Sequence, residues 1–162
     1  SALSGGQRQR VSIARSLVLD PLLLLADEPT SMQDASTRGE IIDILKRHVQ
    51  RGMSLIFVTH DLFLARAAAQ RMLVLYRGSP CEEGPSDEII KDPLHPYTRA
   101  LLAASPRLGQ KIMSLSGGRP GKGQPDEGCS FRSRCPDAGK ECASIPPMTD
   151  MGGRKVACWK IT

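Results

Sequence analysis

Leu3-Ser4-Gly5-Gly6-Gln7 stands directly before a helical pattern near the start of the chain. Val11, Ala14 and Val18 recur after it at helical spacing, and Asp20-Pro21 cannot continue a helix. A serine and two glycines at a helix start present a hydroxyl and uncrowded backbone N–H groups to an anion. By itself, a glycine pair before a helix also indicates an ordinary turn. The order of the motifs after it favours a phosphate-binding corner.

A short apolar run with two carboxylates at its end comes next. Residues 22–25 are all leucine, and so short and unalternated a run predicts a parallel strand covered on both faces. Asp27 and Glu28 follow it. Carboxylates leave water only with a partner, and Mg²⁺ is a natural one at the carboxyl end of a parallel strand, where ligands of open α/β sheets bind. The alternative is a pair of solvated acids in a turn.

A second unalternated apolar run covers residues 55–58, and His60 follows it by two positions. The carboxyl ends of parallel strands meet at one edge of a sheet, so we expect the imidazole near Asp27 and Glu28. A histidine without such a setting is more often a structural residue, and His48 is expected to be an ordinary surface residue.

Taken together, these motifs resemble the second half of an ATP-binding cassette (ABC) ATPase. The resemblance implies that Asp27 is the Walker-B aspartate that binds Mg²⁺, that Glu28 polarises the attacking water, and that His60 hydrogen-bonds the γ-phosphate of ATP. Glu28 and His60 are therefore the expected catalytic residues. The residues that the resemblance implies for nucleotide binding are Leu3, Ser4, Gly5, Gly6, Gln7, Asp27 and Asp34.

The segment Ser31-Met32-Gln33-Asp34 occupies a place where the family usually has Ser-Ala-Leu-Asp, a loop that touches the opposite subunit in the nucleotide-bound dimer. Two of the four positions differ. Asp34 is also a good N-cap for the following helical pattern, which stops at Gly52. The capping role and the dimer contact are compatible, and we expect both.

A cassette ATPase needs a Walker A loop, Gly-x-x-x-x-Gly-Lys-Ser/Thr, to cradle the phosphates, and these 162 residues contain none. The chain starts without methionine, directly before the signature-like stretch. We therefore expect it to be the carboxyl-terminal portion of a longer subunit, active as an ATPase only when complete and inactive alone.

Composition narrows the class of protein. With 40% apolar residues, the chain can bury one core plus an appendage, and no apolar run approaches the ~18 residues of a membrane span. The excess of basic residues behind the net charge of +5 falls in residues 107–162. Few aromatics accompany them, so a nucleic-acid partner is not expected. A bound anionic cluster or an acidic membrane surface explains the charge better.

The block Leu94-His95-Pro96-Tyr97-Thr98-Arg99-Ala100-Leu101-Leu102 resembles the sequence after the catalytic core in ATPases of oligopeptide and dipeptide importers. Pro96 is expected to open a helix, and a local structural role is favoured for His95. The resemblance implies a carboxyl-terminal part of an importer ATPase. Its implied partners are a second ATPase subunit, membrane permease subunits and, indirectly, an extracytoplasmic solute-binding protein. Its implied location is the cytoplasmic face of the membrane, as a peripheral protein.

A set of four cysteines lies in the tail: Cys129, Cys135, Cys142 and Cys158. A reducing compartment argues against disulfides, so a metal is the better interpretation. The close Cys pairs typical of zinc are absent and the ferredoxin spacings do not match, which leaves the spacing indecisive. The peptide-importer family carries the Gly-Cys-x-Phe-x-x-Arg-Cys-Pro pattern of residues 128–136, and some members bind a four-iron cluster through it. The resemblance therefore implies a [4Fe-4S] cluster, with zinc or an empty site as alternatives. Cys81 is expected to stand apart on a hairpin as an ordinary thiol.

The predicted fold is α/β: the C-terminal part of an ABC-type P-loop ATPase cassette with parallel strands and flanking helices, plus a small irregular cysteine-rich tail. The predicted divisions are cassette residues 1–84, a helical extension at 85–106 and the metal-cluster tail at 107–162. Two other functions stay open, a DNA-repair or chromosome-type ABC ATPase and a non-enzymatic interaction module that bears a cluster. The short interval after the signature, without a coiled coil, argues against the first alternative, and intact Glu28 and His60 argue against the second.

Overall fold

A computed structural model describes residues 3–31, 33–105 and 127–161. It is a mixed α/β structure that divides into two compact units, Ser1–Ala69 and Gln70–Thr162. The predicted linker between Ser105-Pro106 and Asp126 lies almost entirely outside the described residues, as does Met32. Within the described ranges, no helix is long and apolar enough to cross a membrane.

The first unit alternates helices and strands. In chain order its elements are α1 (Gly5–Val18), β1 (Leu23–Asp27), α2 (Ala35–Gln50), β2 (Ser54–Val58) and α3 (Leu62–Ala68). The two strands pair in parallel, as predicted from their unalternated apolar runs. The core of the unit forms where helices α1 and α2 pack against these strands, and its buried members are Leu17, Ile41, Leu45 and Met53.

Among the described residues of the first unit, helices cover one face of this two-stranded sheet and leave the other exposed. Leu24, Leu55 and Phe57 pack against the helical core, whereas the residues between them alternate onto the other face. The prediction that the strands are covered on both faces is therefore wrong for this unit. On the open face the exposed fractions are large: 56% for Leu23, 65% for Leu25, 51% for Ile56 and 45% for Val58.

The second unit is built on an antiparallel sheet. Its elements are β3 (Arg71–Tyr76), β4 (Ser79–Pro85), α4 (Ser86–Lys91), α5 (Pro96–Ala104), two 3₁₀ turns (Arg132–Arg134 and Lys140–Ala143), β5 (Thr149–Asp150) and β6 (Lys155–Val156). The strand order is β3-β4-β6-β5, so the tail adds its own short hairpin to the β3–β4 hairpin. The tail was expected to be irregular, and these strands are the part of it that sequence patterns did not indicate.

An aromatic cluster holds the centre of the second unit. Tyr76 and Phe131 meet edge to face with ring centroids 5.2 Å apart, and Tyr97 lies 4.7 Å from Tyr76 and 5.4 Å from Phe131. Edge-to-face pairs are favourable because the positive edge of one ring meets the negative face of the other. These three side chains tie the β3–β4 hairpin, α5 and the cysteine-bearing tail into one core.

Candidate functional site

A capping box forms the start of α1. The Ser4 hydroxyl accepts a hydrogen bond from the Gln7 N–H at 3.2 Å, and the Gln7 side chain accepts one from the Ser4 N–H at 2.9 Å. This reciprocal pair satisfies two of the free donors at a helix start. The helix N-terminus still carries a partial positive charge, so it remains suited to a phosphate.

Glu28 and His60 meet at the carboxyl ends of β1 and β2. Their side chains lie 2.7 Å apart, measured from the His60 Nδ1 to the Glu28 Oε1, and the same oxygen accepts the His60 backbone N–H at 2.9 Å. The His60 side chain is largely exposed, and the Glu28 side chain is about one-third exposed (34%). Both groups are therefore open to a ligand from solvent at this sheet edge.

The backbone of Glu28 is unusual. Its φ of 45° lies in the left-handed region, which residues with a Cβ seldom occupy. The Glu28 N–H donates to the Val58 carbonyl at 2.9 Å, and the Glu28 carbonyl accepts from the Gln9 side chain at 3.0 Å and from the Ser31 N–H at 3.2 Å. Backbone strain of this kind persists only where surrounding contacts hold it, and it clusters at functional sites.

Two other predicted site residues lie near the ends of these elements. Asp27 is the last residue of β1 and is exposed, so its carboxylate is available to a cation. Asp34 is the N-cap of α2, and hydrogen bonds from the Ser36 hydroxyl and the Thr37 N–H lower its pKa to about 2. The predicted capping role of Asp34 is confirmed, whereas its contact with a second subunit stays a prediction.

Sequence analysis missed two glutamines at this site. The Gln33 side-chain amide donates to the Gly6 carbonyl at 2.9 Å and to the Gln9 side-chain oxygen at 3.2 Å. Gln33 is buried, and a Cβ on Gly6 would lie only 2.8 Å from its side-chain oxygen. The sequence did offer one signal, because Gln33 stands where the family usually has leucine in the segment that ends at Asp34.

The four tail cysteines lie in one region of the second unit. Cys129 and Cys135 pack against the core of Tyr76, Cys81 and Phe131, and burial raises the pKa of both thiols. The Cys129 N–H also donates to the Cys142 carbonyl at 3.0 Å. Nevertheless, in the part of the chain that the structure describes, no group of three or more His, Cys, Asp or Glu side chains is arranged to hold a metal ion. The predicted cluster is therefore not supported by the structure.

Cys81 does not stand apart, contrary to expectation. It lies on β4 as predicted, but it is 2% exposed and belongs to the core of Tyr76 and Phe131, against which Cys129 packs. Burial raises the pKa of the Cys81 thiol to about 12, and Cys129 contributes to the rise. The prediction failed because the antiparallel pairing of β4 with β6 brings the tail back over the hairpin.

His95 has the local role that Pro96 suggested. It is the N-cap of α5, where its Nδ1 accepts the Tyr97 N–H at 3.0 Å. The side chain is buried, and burial lowers its pKa to about 4, so it is neutral at neutral pH. His95 therefore has a structural role, because its neutral imidazole is buried and caps α5.

Comparison with known proteins gives matches along the chain. Residues 81–142 match the family model of the oligopeptide/dipeptide transporter C-terminal region, and residues 1–31 match that of the ABC transporter. The oligopeptide transport ATP-binding protein OppF of Salmonella typhimurium is 43% identical over 167 residues, covering 98% of this chain and 50% of the relative. The dipeptide transport ATP-binding protein DppF of Escherichia coli is 41% identical over 164 residues, covering 98% of this chain and 49% of the relative.

The chain is similar to the ATP-binding proteins of oligopeptide and dipeptide ABC transporters. It spans about half the length of the curated relatives it matches. The two matched models fall in different structural units, the ABC transporter model in the first and the peptide-transporter region in the second. The Glu28–His60 pair thus lies in the unit that carries the general ABC match, and the cysteines and His95 lie in the unit that carries the peptide-transporter match.

Proposed function

We propose that this chain forms the carboxyl-terminal half of the ATPase subunit of an importer for oligopeptides or dipeptides, and that the complete subunit couples ATP hydrolysis to solute uptake. The contact of Glu28 with His60, 2.7 Å at the ends of two parallel strands, is the observation that carries the proposal. The relatives' printed names, which refer to oligopeptide and dipeptide transport, supply the substrate class.

Each of the three residues at this sheet edge has its own role in ATP hydrolysis. The exposed Asp27 carboxylate would hold Mg²⁺, which neutralises charge on the β- and γ-phosphates. The Glu28 carboxylate orients the attacking water and accepts its proton, as a general base within hydrogen-bond reach must. His60, fixed to the Glu28 carboxylate through its own N–H and Nδ1, turns its remaining ring nitrogen toward the γ-phosphate.

The capped start of α1 acts on a different nucleotide. In a two-fold dimer, the residues from Leu3 to Gln7 of one subunit close over the ATP held by the Walker A loop of the other. The N–H groups and partial positive charge at this helix start favour a phosphate. Asp34 lies in the loop proposed to touch the second subunit. Membrane permeases are the proposed partners of the closing dimer, at the cytoplasmic face of the membrane.

Substitution of Glu28 in the complete subunit tests the proposal. Glu28→Gln should lower ATP turnover by about 10²- to 10⁴-fold, the range for loss of a general base, with ATP binding preserved. Glu40→Gln, at an exposed position on α2, is the matched control and should leave turnover unchanged. A folded Glu28→Gln enzyme with most of its activity would remove Glu28 from catalysis. These 162 residues alone should hydrolyse no ATP, because they lack the Walker A cradle.

The [4Fe-4S] cluster is also kept as a proposal, with Cys129, Cys135, Cys142 and Cys158 as its ligands. The support for this proposal is the resemblance of residues 128–136 to the cysteine pattern of the peptide-importer family, not an arrangement of thiols in the structure. Iron and sulfide analysis of anaerobically purified complete subunit is the test, with Cys129→Ser expected to lose the metal and Cys81→Ser to keep it. Stoichiometric zinc without iron would replace the cluster by zinc, and a metal-free ordered tail would exclude both.

A further inference from the structure

Two side-chain amides connect the start of α1 with the backbone of Glu28. Gln33 Nε2 donates to the Gly6 carbonyl at 2.9 Å and to Gln9 Oε1 at 3.2 Å, and Gln9 Nε2 donates to the Glu28 carbonyl at 3.0 Å. We call this pair of amides the glutamine bridge. It spans 24 positions between Gln9 and Gln33 and 19 between Gln9 and Glu28, so it joins three separate segments of the chain.

The glutamine bridge has a defined direction. An amide has donors on one side and an acceptor on the other, and Gln33 offers a donor to Gln9. The Gln9 oxygen must then face Gln33, which turns the Gln9 NH₂ toward the Glu28 carbonyl. A flipped Gln9 would bring two NH₂ groups together and two oxygens together. Gln33 therefore selects the orientation in which Gln9 can bind Glu28.

Because Gln33 is buried, its side-chain amide is held in one orientation. Gln33 is only 8% exposed, and its backbone carbonyl is held by Arg38 Nε at 3.0 Å. Its side-chain amide lies against Gly6, where no Cβ intervenes. A buried amide that loses a partner leaves that partner unsatisfied, so the alternatives to the observed arrangement are costly.

The group at the end of the bridge has a strained backbone. Glu28 has a φ of 45°, and a residue with a Cβ keeps such a conformation only where the surrounding contacts hold it. Gln9 supplies one donor from outside the turn, whereas the other, the Ser31 N–H at 3.2 Å, belongs to the turn itself. The direction of the Glu28 side chain depends on its backbone conformation. By holding that backbone, the glutamine bridge helps to fix the direction of the Glu28 carboxylate.

We propose that Gln33 is a positioning residue for ATP hydrolysis, which acts through Gln9 to hold the backbone of Glu28 and ties that backbone to the nucleotide-facing turn at Gly6. The inference rests on the proposed function, because Glu28 must be the group that activates water. Gln33 stands where the family resemblance implies leucine, which cannot donate to either oxygen. The bridge is thus a feature of this chain's own residues.

A double-mutant cycle in the complete subunit tests the proposal. Gln33→Leu and Gln9→Leu should each lower kcat by about 5- to 10-fold, the effect of losing one hydrogen bond at the transition state, with KM for ATP unchanged. The double variant should be no slower than the slower single variant, because both changes break the same bridge. Gln50→Leu, at an exposed glutamine that ends α2, is the matched control and should leave kcat unchanged.

Circular dichroism and thermal melting identify variants that fail to fold, and Gln9→Leu tests the bridge even if Gln33→Leu is unstable. An unchanged kcat in folded Gln33→Leu, or effects that multiply in the double variant, would overturn the positioning role. Glu28→Gln in the same preparation separates the two proposals. If Glu28→Gln removes turnover and Gln33→Leu does not lower it, only this inference fails; if Glu28→Gln is active, the proposed function fails.

Discussion

Arg154 donates a hydrogen bond from Nη2 to the Oε1 of Glu82 at 2.6 Å, across 72 positions of sequence and inside the second unit. The Glu82 side chain is fully buried and also accepts the backbone N–H groups of Leu94 and His95, each at 3.0 Å. Gly84 leaves the space for Arg154, since a Cβ there would lie 2.8 Å from the Arg154 Cγ. One carboxylate therefore joins β4, the start of α5 and the tail.

Removal of the arginine should destabilise this unit strongly. Arg154→Met would leave the Glu82 carboxylate buried without its cation, which typically costs about 3 to 5 kcal/mol of the free energy of unfolding. Urea denaturation measures the loss. Arg71→Met is the matched control, because the Arg71–Glu83 pair is exposed and should contribute less than about 1 kcal/mol. Equal effects of the two substitutions would contradict the assigned importance of the buried pair.

The neutral state of His95 predicts a pH dependence of stability. Burial lowers the pKa of His95 from 6.5 to about 4, so the unfolded chain binds the proton more readily. Neutral, buried His95 therefore contributes fully to the free energy of unfolding above pH 6.5. As the pH falls from 6.5 toward 4, the free energy of unfolding should decrease by up to about 3 kcal/mol. His95→Asn keeps a capping oxygen but does not titrate, so its free energy of unfolding should fall less over that range. His48→Asn should keep the steep wild-type dependence.

A comparison of two glycines isolates a steric requirement in the tail. Gly128 and Gly153 have φ values of +89° and +92°, but a Cβ on Gly128 would lie 2.5 Å from the Cys142 carbonyl oxygen, whereas nothing lies within 4 Å of a Cβ on Gly153. Gly153→Ala should cost about 1 kcal/mol for the left-handed backbone alone. Gly128→Ala should cost clearly more, because the turn that brings Cys129 to Cys142 must open. Equal costs in urea denaturation would argue against the close approach.

The buried thiol of Cys81 should be inert in the native protein. Its pKa is raised to about 12 by burial, so almost no thiolate forms at pH 8, and the sulfur is shielded from reagents. Iodoacetamide should label metal-free protein at the partly exposed Cys158 and leave Cys81 unmodified. Denaturation should make Cys81 reactive, and mass spectrometry distinguishes the two sites. Native labelling of Cys81 at the rate of Cys158 would contradict its burial.

Local sequence signals predicted the elements and their caps. Apolar runs indicated β1 and β2, Asp34 indicated the start of α2, and Pro96 indicated the start of α5. Each of these signals depends on a few neighbouring residues. The meeting of Glu28 and His60 could be expected as well, because parallel strands bring their carboxyl ends to one edge.

The missed features are contacts between distant side chains. The glutamine bridge and the Arg154–Glu82 pair leave no periodic pattern, since each depends on how separate elements pack. The burial of Cys81 was missed for the same reason, because it requires the tail to pair with β4. The open face of β1 and β2 was missed because an unalternated apolar run does not reveal how many layers of structure cover it.

That open face affects how the chain behaves during synthesis. The exposed side chains of Leu23, Leu25, Ile56 and Val58 lie together on strands that also have unpaired edges within the described sheet. Exposed apolar surface beside open strand edges is where newly made chains associate with one another. When these residues are expressed by themselves, we therefore expect most of the chain to aggregate or to bind chaperones. Another apolar surface that covers the exposed leucines should prevent this.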